Sequence, residues 1–274
     1  KYSVPEAPTG HRICVVGASG GAGATTIACN LAMELGQLTG NLSAIIDLHL
    51  EFGDVAAAFD CSPAHSLASL CHTEGEVDRI MLQKAIVELP CRVAVLGRPE
   101  SVEDAALVDA DRVASVLYAM SRAYDAVIID TPRSFDRLAL NALEQADTVL
   151  IVLQLIVPSV RNGLRLFQTL RHYGMPEERI QVVVNRFRKN VGRIMPEDVE
   201  RQFHRKLFGV IPNDYQCVTN SLDFGQPLMT GAPNSPVRTA IRAMATQLLK
   251  HDPEPATPPG NDRRKEGLLS RIFR

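Results

Sequence analysis

The sequence lacks several features that would mark a specialised class of protein. It has no tryptophan, 5% aromatic residues, and 29 basic against 31 acidic residues, which gives a formal charge of −2. That balance argues against wholesale nucleic-acid binding. The six cysteines show no Cys-x-x-Cys spacing, so we expect neither a zinc site nor a disulfide scaffold. The composition is that of an ordinary soluble, cytoplasmic globular protein with reduced thiols.

Long hydrophobic runs and a signal peptide are also missing. The longest apolar run, residues 148–160, is interrupted by Gln154 and Pro158 and is shorter than the roughly 20 residues that a membrane-spanning helix needs. The first ten residues contain neither an initiator methionine nor an apolar signal region. We interpret residues 1–11 as the end of a linker, which leaves open that an N-terminal domain precedes it.

Short apolar runs alternate along the chain with longer stretches of helical periodicity. This pattern predicts an α/β fold, in which helices cover a mostly parallel sheet. Most of the apolar runs are continuous, as expected of strands that are covered on both faces. The predicted strands are residues 13–16, 43–47, 92–96, 126–130, 148–153, 181–185 and 208–211. The predicted helices are residues 25–38, 109–123, 135–145, 160–173, 196–206 and 235–250.

The composition changes after Lys250. Residues 251–262 are rich in proline and predict a semi-extended linker. Residues 263–274 are basic, and Leu268, Leu269, Ile272 and Phe273 would lie on one face of a helix. Such a segment is typical of a short helix that binds a membrane surface. A docking helix for a protein partner and a disordered tail are the alternatives.

The most informative motif is a glycine-rich turn between a predicted strand and a predicted helix. Glycines allow the backbone to fold around a phosphate, and the N–H groups at a helix N-terminus point at the charge. A strict P-loop needs glycine at position 18 and lysine at position 24, where this chain has alanine. A tight packing turn is therefore the alternative. The turn and the start of its helix read Ser19-Gly20-Gly21-Ala22-Gly23-Ala24-Thr25-Thr26.

Polar residues follow three other predicted strands, at the edge where a nucleotide would bind in a parallel sheet. Asp47 ends one apolar run and is followed by further acidic residues. Asp130 ends another, in the arrangement that holds magnesium through water in nucleotide hydrolases. Asn185 and Arg186 end a third, where a side chain could contact a base. Together with the glycine turn, these residues predict a nucleotide site.

These segments together resemble the MinD/ParA superfamily of deviant Walker A ATPases, whose fold is a doubly wound, P-loop NTPase-like sheet. Within it, the chain is most similar to the CpaE/TadZ branch of pilus-assembly and polar-localisation proteins. The resemblance covers residues 12–250 as the ATPase domain. Its most specific motifs are the glycine turn, Ile129-Asp130-Thr131-Pro132, the segment Asp47-Leu48-His49-Leu50-Glu51-Phe52-Gly53-Asp54, and Pro212-Asn213-Asp214-Tyr215.

The resemblance implies a role for each candidate residue. The backbone of Gly20, Gly21, Ala22, Gly23, Ala24, Thr25 and Thr26 would hold the phosphates of ATP. Thr25, Asp47 and Asp130 would coordinate or orient Mg²⁺ and its water, with Asp47, His49 and Asp130 as the catalytic set. Asn185, Arg186, Pro212, Asn213 and Asp214 would contact the adenine. An ATP-dependent homodimer is implied as well.

The sequence departs from the superfamily at three positions. Ser19 stands where the signature lysine is expected, and Ala24 stands where the P-loop lysine is expected. A single transition-state cation contributes about 10³–10⁵ in rate to phosphoryl transfer. His49 also replaces a carboxylate. We therefore expect ATP binding with weak or absent hydrolysis; Arg133, directly after Asp130-Thr131-Pro132, is a candidate replacement cation, with a solvated surface arginine as the alternative.

The resemblance implies a localisation factor for a type IV (Flp/Tad-type) pilus or secretion system. Its partners would be assembly proteins or a polar hub protein, at a cell pole or on the inner-membrane surface through residues 263–274. A nucleotide-free scaffold is the first alternative. The second alternative is a partition ATPase that acts on DNA. It would bind DNA phosphates through two groups of basic residues, which are Arg161, Arg165 and Arg171, and Arg186, Arg188, Lys189 and Arg193. For both groups a solvated surface is the favoured interpretation.

Overall fold

The computed structural model describes residues 9–72, 75–189 and 191–250. Within them the strands are β1 (His11–Gly17), β2 (Ser43–Asp47), β3 (Val87–Leu89), β4 (Val93–Leu96), β5 (Ala126–Thr131), β6 (Thr148–Leu153), β7 (Ile180–Phe187) and β8 (Gly209–Pro212). They form one sheet in the order β3-β4-β2-β5-β1-β6-β7-β8. The pairs between neighbours are parallel except for β3, which pairs antiparallel with β4 at the edge.

Helices connect the strands and cover both faces of the sheet. They are α1 (Ala24–Thr39), α2 (Val55–Ala58), α3 (Leu67–Cys71), α4 (Arg79–Ala85), α5 (Val102–Ala105), α6 (Ala110–Ala123), α7 (Arg137–Gln145), α8 (Val157–His172), α9 (Pro196–Phe203), α10 (Tyr215–Asp223), α11 (Leu228–Gly231) and α12 (Pro236–Lys250), with a 3₁₀ turn at Glu177–Arg179. No helix among the described residues is long and apolar enough to cross a membrane.

Two apolar layers hold the helices on the sheet. Successive side chains of a strand point to opposite faces, so Cys14 and Val16 of β1 pack with α6, α7 and α8, whereas Ile13 and Val15 pack with α1 and α12. Every residue of β2, β5 and β6 is buried. The continuous apolar runs are therefore strands that are covered on both faces, as predicted, and the doubly wound α/β fold is confirmed.

The structure adds elements that the periodicity did not predict. The edge strand β3 has three residues, and α2, α3, α4, α5, α10 and α11 have nine or fewer, so most of these elements are too short to show a period. The predicted helix 196–206 is wrong at its end, because α9 stops at Phe203 and His204 takes a left-handed conformation with φ of 52°. The proposed linker 251–262 and tail 263–274 lie outside the described residues.

The parallel order brings the carboxyl ends of four strands to one edge. Asp47 at the end of β2 lies directly beside Asp130 near the end of β5 in the pairing register. The glycine turn follows β1, which is the next strand after β5, and Asn185 lies toward the end of β7. The strand order therefore brings residues from distant parts of the sequence to one site.

A buried carboxylate joins the first and last helices of this domain. Glu34 of α1 is 1% exposed and accepts hydrogen bonds from Arg238 Nε at 2.6 Å and Arg242 Nη1 at 2.9 Å, both on α12. We expect Glu34→Gln to lower the free energy of unfolding by about 2 kcal/mol, because two arginines lose their charged acceptor. Urea denaturation should show this loss and little change for the exposed control Glu178→Gln. Equal midpoints for both variants would contradict the prediction.

Candidate nucleotide-binding site

The glycine turn between β1 and α1 has a conformation that needs glycine. Gly21 and Gly23 have φ angles of 68° and 92°, in the left-handed region. Gly23 is also the N-cap of α1, and a Cβ atom there would lie 2.4 Å from the Nδ2 atom of Asn185. At Gly20 and Gly21 a Cβ atom would meet nothing within 4 Å. The turn therefore encloses open space on one side and contacts β7 on the other.

The N-terminus of α1 is suited to bind an anion. It has no side-chain cap and no acidic residue in its first turn. In the described part of the chain, the N–H groups of Gly20, Gly21, Gly23 and Ala24 donate no hydrogen bond. Unpaired N–H groups and the helix dipole together favour a negative charge at this position. This geometry fits a phosphate group.

Three predicted cation-binding residues meet beside the turn. The Thr25 hydroxyl donates a hydrogen bond of 2.7 Å to Asp130 Oδ2, and Asp130 is completely buried. Asp47 is 1% exposed; its Oδ1 accepts from the His49 N–H at 3.0 Å and its Oδ2 from the Val55 N–H at 3.1 Å. Two backbone N–H groups of the loop that follows β2 therefore hold the Asp47 carboxylate in place.

His49 lies between the two carboxylates. Its Nδ1 atom is 3.3 Å from Asp130 Oδ2 and 3.7 Å from Asp47 Oδ1. The Asp130 carboxylate and then that of Asp47 raise the pKa of His49 to about 10, against the opposing effect of burial. Burial raises the pKa of Asp130, although His49 opposes this. The pocket therefore stabilises a positive charge at the position of the imidazole.

A second group of predicted residues lines a small cavity behind the glycine turn. Asn185 Nδ2 donates to the Ala22 carbonyl at 2.8 Å, which ties β7 to the turn. Asp214 caps α10 through the Cys217 N–H and accepts from the Ser235 hydroxyl at 3.2 Å. The cavity has a volume of about 70 Å³, and its lining includes Gly23, Thr26, Asn185, Arg186, Pro212, Asn213, Asp214 and Tyr215. The structure therefore brings every predicted base-contacting residue to the turn.

Three features of the site were not predicted from the sequence. Gln154, directly after β6, donates from Nε2 to the Gly21 carbonyl at 2.9 Å. Ser159 is fully buried, and its hydroxyl lies 3.0 Å from that of Ser19. A Cβ atom at Gly53 would lie 2.1 Å from Asp47 Oδ2, so only glycine allows this loop to approach the carboxylate. Gln154 could have been predicted as a site residue, because it is a polar residue at the end of an apolar run, as Asp47 and Asp130 are.

The cation candidate Arg133 lies at the same turn. It is exposed, and its Nη1 atom donates to the Ala18 carbonyl at 3.3 Å. The side chain therefore contacts the residue before Ser19, where the signature lysine of the superfamily is expected.

The free polar groups of this site match those of a magnesium nucleotide. The Oδ1 atom of Asp130 is buried and has no hydrogen-bond partner within the described residues, which is expected where an ion or its water binds. The unpaired N–H groups fit phosphate, and the cavity at Asn185 adjoins them. Nucleotide and Mg²⁺ therefore fit the residues present, except that both lysines are replaced.

The fold and this site define a P-loop NTPase of the MinD/ParA type. The family model AAA_31, described as an AAA domain, matches residues 10–174. The chain therefore belongs to this AAA domain family, among the MinD/ParA-type ATPases. An uncharacterised ATP-binding protein of Methanocaldococcus jannaschii is 26% identical over 86% of this chain and 87% of its own length.

Solved structures agree with this assignment. A ParA family ATPase from Chlorobium tepidum superposes with a TM-score of 0.82 and 25% identity, over 88% of this chain and all of that one. MinD of Pyrococcus horikoshii in complex with Mg-ADP superposes with a TM-score of 0.76 at 21% identity, over 87% of this chain and 95% of that one. At 21% identity, the match to the Pyrococcus horikoshii structure shows a shared fold alone.

Proposed function

We propose that this protein is a nucleotide-responsive localisation factor that binds ATP and Mg²⁺, dimerises through its nucleotide face and hydrolyses ATP weakly or not at all. We further propose that it positions a type IV (Flp/Tad-type) pilus or secretion assembly. The observation that supports ATP binding best is the uncapped glycine turn, which lies between the buried carboxylate of Asp130 and the cavity at Asn185.

Different residues would bind the phosphates, the cation and the base. The backbone of the turn would hold the phosphates, Thr25, Asp47 and Asp130 would hold the cation and its water, and Asn185 would contact the base. The cation supplies positive charge to the phosphates. Neither Ser19 nor Ala24 can supply the charge of the lysines they replace, and Ser19 is held by Ser159. Binding is therefore expected to survive better than phosphoryl transfer, which depends on charge stabilisation.

The proposed dimer would use exposed apolar side chains on the loops at the carboxyl edge of the sheet. Phe52 after β2 is 82% exposed, and Ile156 and Val157 after β6 are 51% and 57% exposed. These loops adjoin Asp47 and Gln154, so a second copy that covers them also covers the nucleotide. Members of the MinD/ParA family act as dimers, which supports the same arrangement.

Calorimetry with Mg²⁺ and ATP, with light scattering on the same sample, tests the proposal. Saturable binding together with a doubling of mass would support a nucleotide-gated dimer. If no binding is seen at millimolar ATP, the protein is instead a scaffold in which the glycine turn has a structural role and binds no nucleotide. Retention on non-specific DNA with a steep salt dependence would replace it with a partition ATPase.

Ile156→Asp separates dimerisation from nucleotide binding. Ile156 is the N-cap of α8, where aspartate is a favoured residue, so the fold should be unharmed while a charge enters the proposed interface. We expect the variant to bind ATP but to remain a monomer in light scattering. The control Leu249→Asp changes another half-exposed residue, at the far end of α12, and should dimerise like the wild type. A dimeric Ile156→Asp would place the interface elsewhere.

The pilus assignment rests on the motifs around Phe52-Gly53-Asp54 and Asn213-Asp214-Tyr215. Tyr215 is 67% exposed and is available to an assembly partner, whereas Phe52 is covered by the second copy in the proposed dimer. A fluorescent fusion in a piliated host should form polar foci, and deletion of the gene should remove surface pili. Foci that follow the nucleoid instead, with pili unaffected by the deletion, would contradict this part of the proposal.

A further inference from the structure

The cluster at the ends of β2 and β5 contains a nitrogen ligand that the usual magnesium site does not need. Asp47, His49 and Asp130 each offer one ligand atom, and these atoms all lie within 4.8 Å of one another. The Thr25 hydroxyl lies 2.7 Å from Asp130 Oδ2 and adds a fourth donor. Four ligand atoms thus converge from the end of β2, the loop after it, β5 and the start of α1.

A second observation points to a missing ligand. Asp130 is fully buried, and its Oδ1 atom has no hydrogen-bond partner in the described part of the chain. A buried carboxylate oxygen without a partner is costly, and it is expected where an ion or an ordered water completes the site. His49 is about one-third exposed, but its Nδ1 atom, which faces the two carboxylates, is buried and has no hydrogen-bond partner among the described residues.

The donor types select the cation. Mg²⁺ prefers oxygen ligands, keeps several waters and depends on the nucleotide phosphates for much of its binding. An imidazole nitrogen instead favours divalent first-row transition metals, whereas Mg²⁺ favours an all-oxygen ligand set. Three protein side chains with two negative charges also form a site that needs no phosphate.

We propose that Asp47, His49 and Asp130 form a site for a divalent first-row transition metal, which binds in preference to Mg²⁺ before any nucleotide is present and which His49 ligates directly, with release of the imidazole proton to solvent. The role of this metal as the nucleotide's cation rests on the function proposed above. Its binding does not, because the carboxylates and the imidazole belong to this chain alone. His49 thus replaces an acidic residue of the superfamily by a ligand with a different metal preference.

Mn²⁺ is a suitable probe because it does not favour the six free cysteines. The loss of the free Mn²⁺ signal in electron paramagnetic resonance, without nucleotide, measures binding, and ¹⁴N modulation of the bound signal reports an imidazole ligand. We expect one Mn²⁺ per chain with ¹⁴N modulation, retained when Mg²⁺ is present in molar excess. His49→Ala should lose the modulation and weaken binding about 10–100-fold.

Two further variants sharpen the test. His49→Asp restores a carboxylate, so it should bind Mn²⁺ without ¹⁴N modulation and lose it to Mg²⁺. His65→Ala removes an exposed histidine elsewhere and should behave as the wild type. Mn²⁺ that stays free without nucleotide, or ¹⁴N modulation that persists in His49→Ala, would overturn the inference. ATP binding by calorimetry in Mg²⁺ is measured separately, so that failure of the metal site and failure of the proposed function give different results.

Discussion

Gly23→Ala should lower the free energy of unfolding by about 1–3 kcal/mol and weaken ATP binding at least about tenfold. An alanine at φ of 92° is strained, and its Cβ atom would lie 2.4 Å from Asn185 Nδ2. Relief of this overlap must displace the Asn185 amide and break its hydrogen bond to the Ala22 carbonyl. The change therefore disturbs the phosphate turn and the base cavity together. Urea denaturation and calorimetry measure the two effects.

Gly20→Ala is the matched control within the same turn. The φ angle of Gly20 is not in the left-handed region, and a Cβ atom on this residue would meet nothing within 4 Å. The free protein should therefore be as stable as the wild type. If Gly20→Ala and Gly23→Ala were equally destabilised, the backbone conformation described for Gly23 would not be the cause.

Asp130→Asn should have opposite effects on ligand binding and on the stability of the free protein. Burial raises the pKa of Asp130 by more than His49 and Thr25 lower it, so the negative charge of this carboxylate is unfavourable in the free protein. A neutral amide removes this cost, and Asp47 remains beside His49. We expect the melting temperature of the free variant to be unchanged or higher, whereas Mg·ATP affinity should fall about 10–100-fold.

The exposed residue Asp223 provides the control, because Asp223→Asn makes the same chemical change away from the site. It should alter neither melting temperature nor affinity. A free Asp130→Asn protein that melts several degrees below the wild type would show that the carboxylate supports the fold. Retained Mg·ATP affinity would show that Asp130 is not part of the cation site.

Local patterns in the sequence were sufficient for the fold class and for the candidate residues. The continuous apolar runs predicted buried parallel strands, because a strand covered on both faces has no polar side. The glycines before α1 predicted a turn that folds around an anion, and Gly21 and Gly23 have the positive φ angles that such a turn uses. The short elements escaped notice, since the three residues of β3 are held by pairing with β4 and not by any period of their own.

Which residues meet was decided only by the tertiary structure. Ala22 and Asn185 are 163 positions apart, and Asp47 pairs with Asp130 because β2 and β5 are neighbours in the sheet. Strand order depends on how whole helices and strands pack, which no local pattern contains. The sequence by itself determined that candidate phosphate-binding and cation-binding residues lie at strand ends. Only the fold placed His49 between two buried carboxylates, because its position depends on the contact of two strands distant in the chain.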